Sequence, residues 1–184
     1  MNIAIILAAG ASSRAGQDKL WANIYGRPLW TFSYEAFRSN KNIHKIILAV
    51  PTGKIARFKK HISKNTELVI GGTSRMDSFK NALASSKFQD DDIIIDHNAA
   101  NPFPSQFEIN AVIKNAKKYG AAACSSACSD TVITSKGRIY DKKVNRENIR
   151  LMQTPQAARG DILRKAKLTN ESDLCGALLN FTKV

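Results

Sequence analysis

The sequence predicts an α/β fold in which helices cover both faces of a mostly parallel sheet. Short apolar runs alternate along the chain with longer segments of helical periodicity. The runs are continuously apolar, which is typical of strands buried on both sides. Ligands of such sheets bind beyond the carboxyl ends of the strands, so the loops that follow the strands are the candidate functional segments.

Five runs are predicted to be strands, at residues 3–7, 45–50, 67–70, 92–95 and 120–124. Pro51 ends the second run, and Gly71 with Gly72 ends the third. The fifth run, a stretch of alanines with one cysteine, is the weakest of the set.

Helices are predicted between these strands, at residues 29–38, 53–62, 74–85 and 105–119. Pro28 suits the first turn of the first helix. Ser105 and Glu108 form the pattern of a capping box at the start of the last helix, and Gly120 is a typical residue to end it.

The pattern changes over residues 127–149, where residues 131–134 and 138–140 predict a hairpin. This segment lacks the apolar content for a core of its own. We interpret it as an arm that projects from a single domain of residues 1–184 toward a second subunit. A plain surface hairpin is the alternative.

The composition favours a cytosolic globular domain. The chain has 184 residues, of which 43% are hydrophobic, and this is enough for a core but not for two full domains. The longest apolar run, residues 3–9, is too short to span a membrane, and no basic segment precedes it. The three cysteines (Cys124, Cys128 and Cys175) lack zinc-site spacing, so we expect reduced thiols.

The net charge of +13 predicts anionic partners, which leaves nucleic acid, an anionic membrane and phosphorylated small molecules open. One basic cluster has a helical period and consists of Lys54, Arg57, Lys59, Lys60 and Lys64. A solvated helix face explains such a cluster. Because Phe58 is the sole aromatic residue within it, a base-stacking platform for nucleic acid is disfavoured.

The loop after the first strand predicts a phosphate site. Its small residues, Ala8, Ala9 and Gly10 among them, allow backbone N–H groups to approach a ligand closely. Arg14 and Lys19 add positive charge suited to a polyphosphate. The glycines of a Walker A or dinucleotide-binding loop are missing. An ordinary turn with solvated cations is the alternative.

Four segments in order carry a resemblance to a known family. Residues 7–19 resemble the A-A-G-x-x-x-R…K signature of nucleotidyltransferases that activate sugar or polyol phosphates. Residues 71–78 resemble G-G-x-x-R-x-x-S, residues 96–102 resemble H-D-A-A-R-P, and residues 153–156 resemble Q-T-P-Q, with Asn145 and Arg146 upstream. Together they resemble the 2-C-methyl-D-erythritol 4-phosphate cytidylyltransferase family, to which the ribitol-5-phosphate cytidylyltransferases are a sister family.

This resemblance implies a Rossmann-like, nucleotide-diphospho-sugar transferase fold and a homodimer joined through the arm. It implies that CTP reacts with a polyol phosphate, with Mg²⁺ as cofactor, to give a CDP-alcohol and pyrophosphate. The implied catalytic residues are Arg14, Lys19 and Arg146. The implied nucleotide-binding residues are Ala8, Ala9, Gly10, Gly72, Thr73 and Ser78. Thr131, Arg146 and Thr154 are implied to bind the acceptor, with Thr131 and Arg146 serving the site of the neighbouring subunit.

The sequence departs from the family at the predicted metal site. Asn98 stands where the family has an aspartate that binds Mg²⁺, and an amide brings no negative charge. Asp96 shares a strand face with position 98 and is our candidate for compensation. Asn101 replaces the family's arginine. The family also continues into a further strand with a second acidic ligand and a lysine, whereas this chain ends at Val184.

These departures keep a second hypothesis open, in which the chain is a degenerate homologue that binds nucleotide without turnover. Ribitol 5-phosphate or another sugar phosphate is the alternative acceptor for an active enzyme.

Overall fold

The structure is a computed structural model that describes residues 1–10, 18–166, 168 and 174–178. The strands are β1 (Asn2–Leu7), β2 (Asn23–Ile24), β3 (Arg27–Pro28), β4 (Lys45–Val50), β5 (Thr66–Ile70), β6 (Ile93–Asn98), β7 (Ala121–Ala127), β8 (Val132–Lys136), β9 (Ile139–Val144) and β10 (Arg150–Arg159). The helices are α1 (Trp30–Arg38), α2 (Ile55–Lys59), α3 (Arg75–Ala84), α4 (Gln106–Tyr119), α5 (Gly160–Lys165) and α6 (Leu174–Leu178).

A six-stranded sheet with the order β5–β4–β1–β6–β10–β7 forms the centre of the molecule. The pairs of β1 with β4, β1 with β6 and β4 with β5 are parallel, whereas β10 runs antiparallel to both β6 and β7. All five predicted strands are confirmed. β10 was not predicted, and it is the one strand of this sheet that runs against the others.

Helices cover both faces of the sheet, as the sequence predicts. Alternate residues of each strand point to opposite faces, so Ile93 and Ile95 belong to one core cluster and Ile94 to the other. The first cluster packs under α1, α2 and α4, and the second packs under α3, α5 and α6. The strands are continuously apolar in sequence because both of their faces are buried.

The helix ends agree with their capping signals in two cases. Ser105 and Glu108 form the predicted capping box of α4, and Gly120 follows its last residue. Ser74 and Asp77 form a second capping box at the start of α3. Two predictions need correction: Pro28 lies in β3 rather than in a helical turn, and the helix expected at residues 53–62 is limited to α2.

The segment between β7 and β10 leaves the sheet and returns to it at one place, because Arg150 pairs with Ala127. Within it, β8 and β9 form a separate two-stranded antiparallel sheet. Gly137 supplies the positive φ of 63° that the tight turn between these strands requires. The arm is therefore an excursion from the sheet edge rather than part of the main core.

Cys124 and Cys128 are both free thiols, and burial raises the pKa of Cys124 to about 11. The side chain of Cys175 lies outside the described residues. None of the helices in the described ranges has both the length and the apolar character needed to cross a bilayer.

Candidate active site

The candidate site lies at the carboxyl edge of the parallel strands. Leu7 pairs with Asn98 of β6 and with Ala49 of β4, and Val50 pairs with Ile70, so β1, β4, β5 and β6 end side by side. β10 reaches the same edge from the opposite direction. The sheet thereby brings together the start of the loop after β1, the loops after β5 and β6, and the segment at residues 153–156. Described residues of all four family-like motifs therefore lie at this edge.

The loop after β5 packs closely against the loop after β1. A Cβ atom added to Gly71 would lie 2.2 Å from Ala9 Cβ and 2.8 Å from Ser78 Oγ. One added to Gly72 would lie 2.3 Å from Asp77 Cβ. Both glycines are thus required by close contact: a side chain at Gly71 would push the loops after β1 and β5 apart, and one at Gly72 would displace the start of α3.

Hydrogen bonds within this loop use most of its polar side chains. Ser78 is buried; its hydroxyl donates to the Ser74 carbonyl at 2.9 Å and accepts from the Gly72 N–H at 3.0 Å. The Thr73 hydroxyl donates to Asp77 Oδ2 at 2.8 Å. The bonds from Thr73 and Ser74 lower the pKa of the Asp77 carboxyl. Ser78 retains the capacity to accept one further hydrogen bond.

The loop after β1 is described only at its ends. The Ala8 N–H donates to the Ala49 carbonyl at 2.8 Å, while Ala9 is half-buried and Gly10 is exposed. Arg14 lies outside the described residues. Lys19 begins a short 3-10 helix and is exposed. The predicted roles of these residues with nucleotide stay predictions.

Beside this loop pair, an open cleft of about 560 Å³ lies between the ends of β6 and β10 and the start of α4. Its lining includes Arg75, Asn98, Asn101 and Thr154. The cleft unites residues from three of the motifs, and its size suits a small polar ligand.

Thr154 occupies a central place in the cleft. Its hydroxyl oxygen accepts from the Asn98 backbone N–H at 3.3 Å and from Asn101 Nδ2 at 3.1 Å. A hydroxyl has two acceptor lone pairs and one proton, so these two bonds leave the O–H as a donor. That donor suits an anionic oxygen such as that of a phosphate.

Arg75 joins the two residues predicted to bind metal. Its Nη2 forms an ion pair with Asp96 Oδ2 at 2.5 Å, and its Nε donates to Asn98 Oδ1 at 3.0 Å. Asp96 is fully buried, whereas the Arg75 side chain is 32% exposed. Asp96 and Asn98 therefore share one strand face, as predicted.

These contacts decide how well the pair suits Mg²⁺. A magnesium ion needs several oxygen ligands at close range, and here Oδ2 of Asp96 and Oδ1 of Asn98 both accept hydrogen bonds from one guanidinium. Within the described ranges, no three His, Cys, Asp or Glu side chains group into a metal site. The residues present do not fit a magnesium ion held by the protein, and the predicted metal role of Asp96 and Asn98 stays a prediction that this geometry does not support.

His97 lies between Asp96 and Asn98 in sequence, but its side chain points to the opposite face of the sheet. Its ring lies 5.0 Å from that of Phe37, and its Nε2 lies 2.9 Å from the Asn101 carbonyl. Burial lowers the pKa of His97 to about 4, so the ring is neutral and Nε2 is the donor. His97 thus fixes the turn that carries Asn101.

The arm residues lie apart from this cleft. Arg146 Nη1 donates to the Ser129 carbonyl at 2.6 Å, and both Arg146 and Thr131 are exposed. Neither is among the described residues that line the cleft of the same chain.

Sequence reasoning did not anticipate that Arg75 contacts the predicted metal ligands. One signal was present, since Asp96 directly follows three isoleucines of a strand buried on both faces. A carboxylate in such a place needs a cation or several donors as partners.

A mostly parallel sheet covered on both faces, with a polar cleft at its carboxyl edge, is the arrangement of α/β proteins that bind their ligands where the strands end. A sequence model of the 2-C-methyl-D-erythritol 4-phosphate cytidylyltransferase family matches residues 2–177. The chain belongs to this family.

Individual relatives agree. The 2-C-methyl-D-erythritol 4-phosphate cytidylyltransferase of Clostridium tetani is 36% identical over 164 residues, which are 85% of this chain and 66% of that protein. The protein of the same name from Clostridium acetobutylicum is 32% identical over 182 residues, which are 94% of this chain and 79% of that protein. The match therefore spans slightly less than two thirds of the first relative.

Among solved structures, 4-diphosphocytidyl-2C-methyl-D-erythritol synthase from Anaerococcus prevotii superposes with a TM-score of 0.76 at 25% identity, covering 86% of this chain and 69% of that chain. Sequence and fold thus agree on the family, which is one of nucleotidyltransferases.

Proposed function

We propose that this chain transfers CMP from CTP to 2-C-methyl-D-erythritol 4-phosphate, giving CDP-methylerythritol and pyrophosphate. An oxygen of the acceptor phosphate attacks the α-phosphorus of CTP, and the bond to the pyrophosphate group breaks. This chemistry needs alignment of two anionic reactants and neutralisation of their charge more than it needs covalent participation by the protein.

The observation that carries this proposal is the Thr154 hydroxyl, whose lone pairs are both used and whose proton is left to donate into the cleft. Thr154 is one of the residues expected to bind the acceptor phosphate. On the nucleotide side, the backbone of Ala8, Ala9 and Gly10 and the Gly72–Ser78 contact form the proposed base and phosphate pocket. Arg14 and Lys19 supply its positive charge.

Magnesium enters this proposal as the ion that accompanies the phosphates of CTP. The proposal also includes a cytoplasmic location, because CTP is a cytoplasmic metabolite.

A homodimer is part of the proposal, with Thr131 and Arg146 of each arm completing the partner's acceptor site. The arm supports it by its exposed apolar side chains: Ile139 is 74% exposed and Tyr140 is 59% exposed. Burying these two neighbouring side chains against another chain would remove apolar surface from water, which is favourable.

Mixing subunits tests the shared site. Thr154→Val and Arg146→Met chains, each of low activity alone, should regain activity together, since mixed dimers hold one site with neither change. Recovery requires exchange of subunits, which size-exclusion chromatography of differently tagged chains checks. If exchange occurs and activity stays low, each subunit acts alone.

The alternative acceptor, ribitol 5-phosphate or another polyol or sugar phosphate, stays open because the sister family shares most of the motifs. Asn98 and Asn101, which line the cleft and depart from the family pattern, favour instead the alternative of a degenerate homologue. Pyrophosphate release measured with CTP, ATP, GTP and UTP, and with each acceptor in turn, separates these functions. The proposal expects turnover with CTP and methylerythritol phosphate. CTP binding without pyrophosphate release from any acceptor would instead identify a degenerate nucleotide-binding homologue.

A further inference from the structure

The cluster of Arg75, Asp96 and Asn98 is the most constrained charged group at the edge of the cleft. The guanidinium contacts the Asp96 carboxylate through Nη2 and the Asn98 amide oxygen through Nε, at 2.5 and 3.0 Å. Its Nη1 is also buried and has no partner among the described residues. The arginine is held at two points, and a third, buried donor is unpaired within the described part of the chain.

We propose that Arg75 is the fixed cation of this cleft and takes the place of a protein-bound divalent metal. Two of the oxygens that could hold such a metal, Oδ2 of Asp96 and Oδ1 of Asn98, bind the guanidinium instead. Arg75 is thus a positioning residue that excludes metal from the apoprotein and fixes the side chain of Asn98.

The net charge of the cluster also disfavours a divalent metal at this place. The ion pair of Arg75 with Asp96 is neutral, and Asn98 adds no charge. A divalent ion bound to the same oxygens would leave two uncompensated positive charges and would lie within a few ångströms of the guanidinium. Repulsion between like charges at this range is strong where water is scarce, and Asp96 is fully buried.

The kind of polar groups present leads to the same conclusion. With its oxygen bonded to Arg75, Asn98 offers its amide NH₂ as a donor. The Thr154 hydroxyl beside it also offers a proton. A wall of donors suits the oxygens of a phosphate, whereas a metal site needs acceptors.

Binding of Mn²⁺ to the full chain, without nucleotide, tests the inference by the electron paramagnetic resonance signal of the free ion. We expect no stoichiometric site in the unmodified chain. The double variant Arg75→Gln with Asn98→Asp places two carboxylates face to face without the guanidinium, and we expect its Mn²⁺ affinity to rise about tenfold or more. Asn98→Asp alone should not gain affinity, because the new carboxylate pairs with Arg75.

Arg159→Gln is the matched control. Arg159 forms an ion pair with Asp161 at 2.6 Å at the start of α5, remote from the cleft lining, so its removal should not create a metal site. Circular dichroism checks that each variant is folded.

The inference is overturned if the unmodified chain binds one Mn²⁺ and Asp96→Asn abolishes that binding. It is also overturned if the folded double variant gains no affinity. Should the double variant not fold, the measurement on the unmodified chain decides alone. None of these readouts requires turnover, so a failure of the proposed enzymatic function, seen as no pyrophosphate release, is distinguishable from a failure here.

Discussion

Two neighbouring regions of the carboxyl edge use their polar groups in opposite ways. In the loop at residues 71–78, the hydroxyls of Thr73 and Ser78 donate to groups of the loop itself. In the cleft at the ends of β6 and β10, the Thr154 hydroxyl keeps its proton available as a donor, and the buried Arg75 Nη1 has no partner among the described residues. The first region is closed on itself, and the second is open to a ligand.

Under the proposed function, this difference indicates how each side would recognise its substrate. The closed loop presents backbone groups and a shape set by two tightly packed glycines, which changes little with side-chain substitution. The open cleft presents side chains, and the departures from the family pattern at Asn98 and Asn101 fall there. We therefore expect nucleotide preference to follow the family and acceptor preference to be the property that varies.

The largest expected effect is a loss of stability when Arg75 is removed from the open cleft. Arg75→Gln leaves the Asp96 carboxylate buried without its cation, and the free energy of unfolding should fall by about 3–5 kcal/mol. Urea denaturation followed by circular dichroism measures it. Arg159→Gln, in a more exposed ion pair, should cost no more than about 1 kcal/mol. Equal losses in the two variants would contradict the special status of Arg75.

A change on the closed side should cost less stability but should affect nucleotide. Gly71→Ala forces a Cβ atom into Ala9, so we expect a loss of about 3 kcal/mol and weaker CTP binding. Gly10→Ala is the control for stability, since an added Cβ there meets no described atom within 4 Å. Calorimetry gives both the Tm and the CTP affinity. An unchanged CTP affinity in Gly71→Ala would separate this loop from the nucleotide site.

Thr154→Val sharpens the comparison, because it removes one donor of the open cleft at nearly constant volume. A hydrogen bond to a charged phosphate contributes about 1.5–3 kcal/mol, so KM for the acceptor should rise roughly 10- to 100-fold. KM for CTP should stay nearly constant. A rise in both constants would mean that the two sides are not independent.

The smallest effect concerns the turn behind the cleft. His97 has a folded pKa of about 4 against 6.5 in the unfolded chain, so the folded state binds fewer protons between these values. The contribution of neutral His97 to the free energy of unfolding is complete above pH 6.5 and is lost as the pH falls toward 4. Unfolding free energies should drop by about 2 kcal/mol between pH 7 and pH 5, and less in His97→Gln. Identical pH profiles would show that His97 is not the cause.

The sequence predicts most of the scaffold because burial on both faces leaves a local signal. The five strands that run in the same direction are apolar runs in the sequence. The capping box of Ser105 and Glu108 marks the start of α4. β10 was missed because residues 150–156 are largely polar and include Pro155, which argues against an internal strand. Its position depends on pairing with β6 and β7, which are distant in sequence.

The contacts of the candidate active site are also only partly predictable, because some of them join residues that are distant in sequence. The motifs identified Thr154, Asp96 and Asn98, and the buried aspartate after three isoleucines signalled a required cation. The identity of that cation, Arg75, depends on how α3 packs against the sheet. A contact between residues 21 apart on different elements leaves no periodic pattern to read.

The proposed reaction forms a CDP-alcohol from CTP. ³¹P nuclear magnetic resonance of the chain with CTP, Mg²⁺ and methylerythritol phosphate follows this reaction directly. We expect the triphosphate signals to disappear while those of pyrophosphate and of a diphosphate diester grow in equal amounts. Unchanged CTP, with methylerythritol phosphate and ribitol phosphate alike, would contradict it.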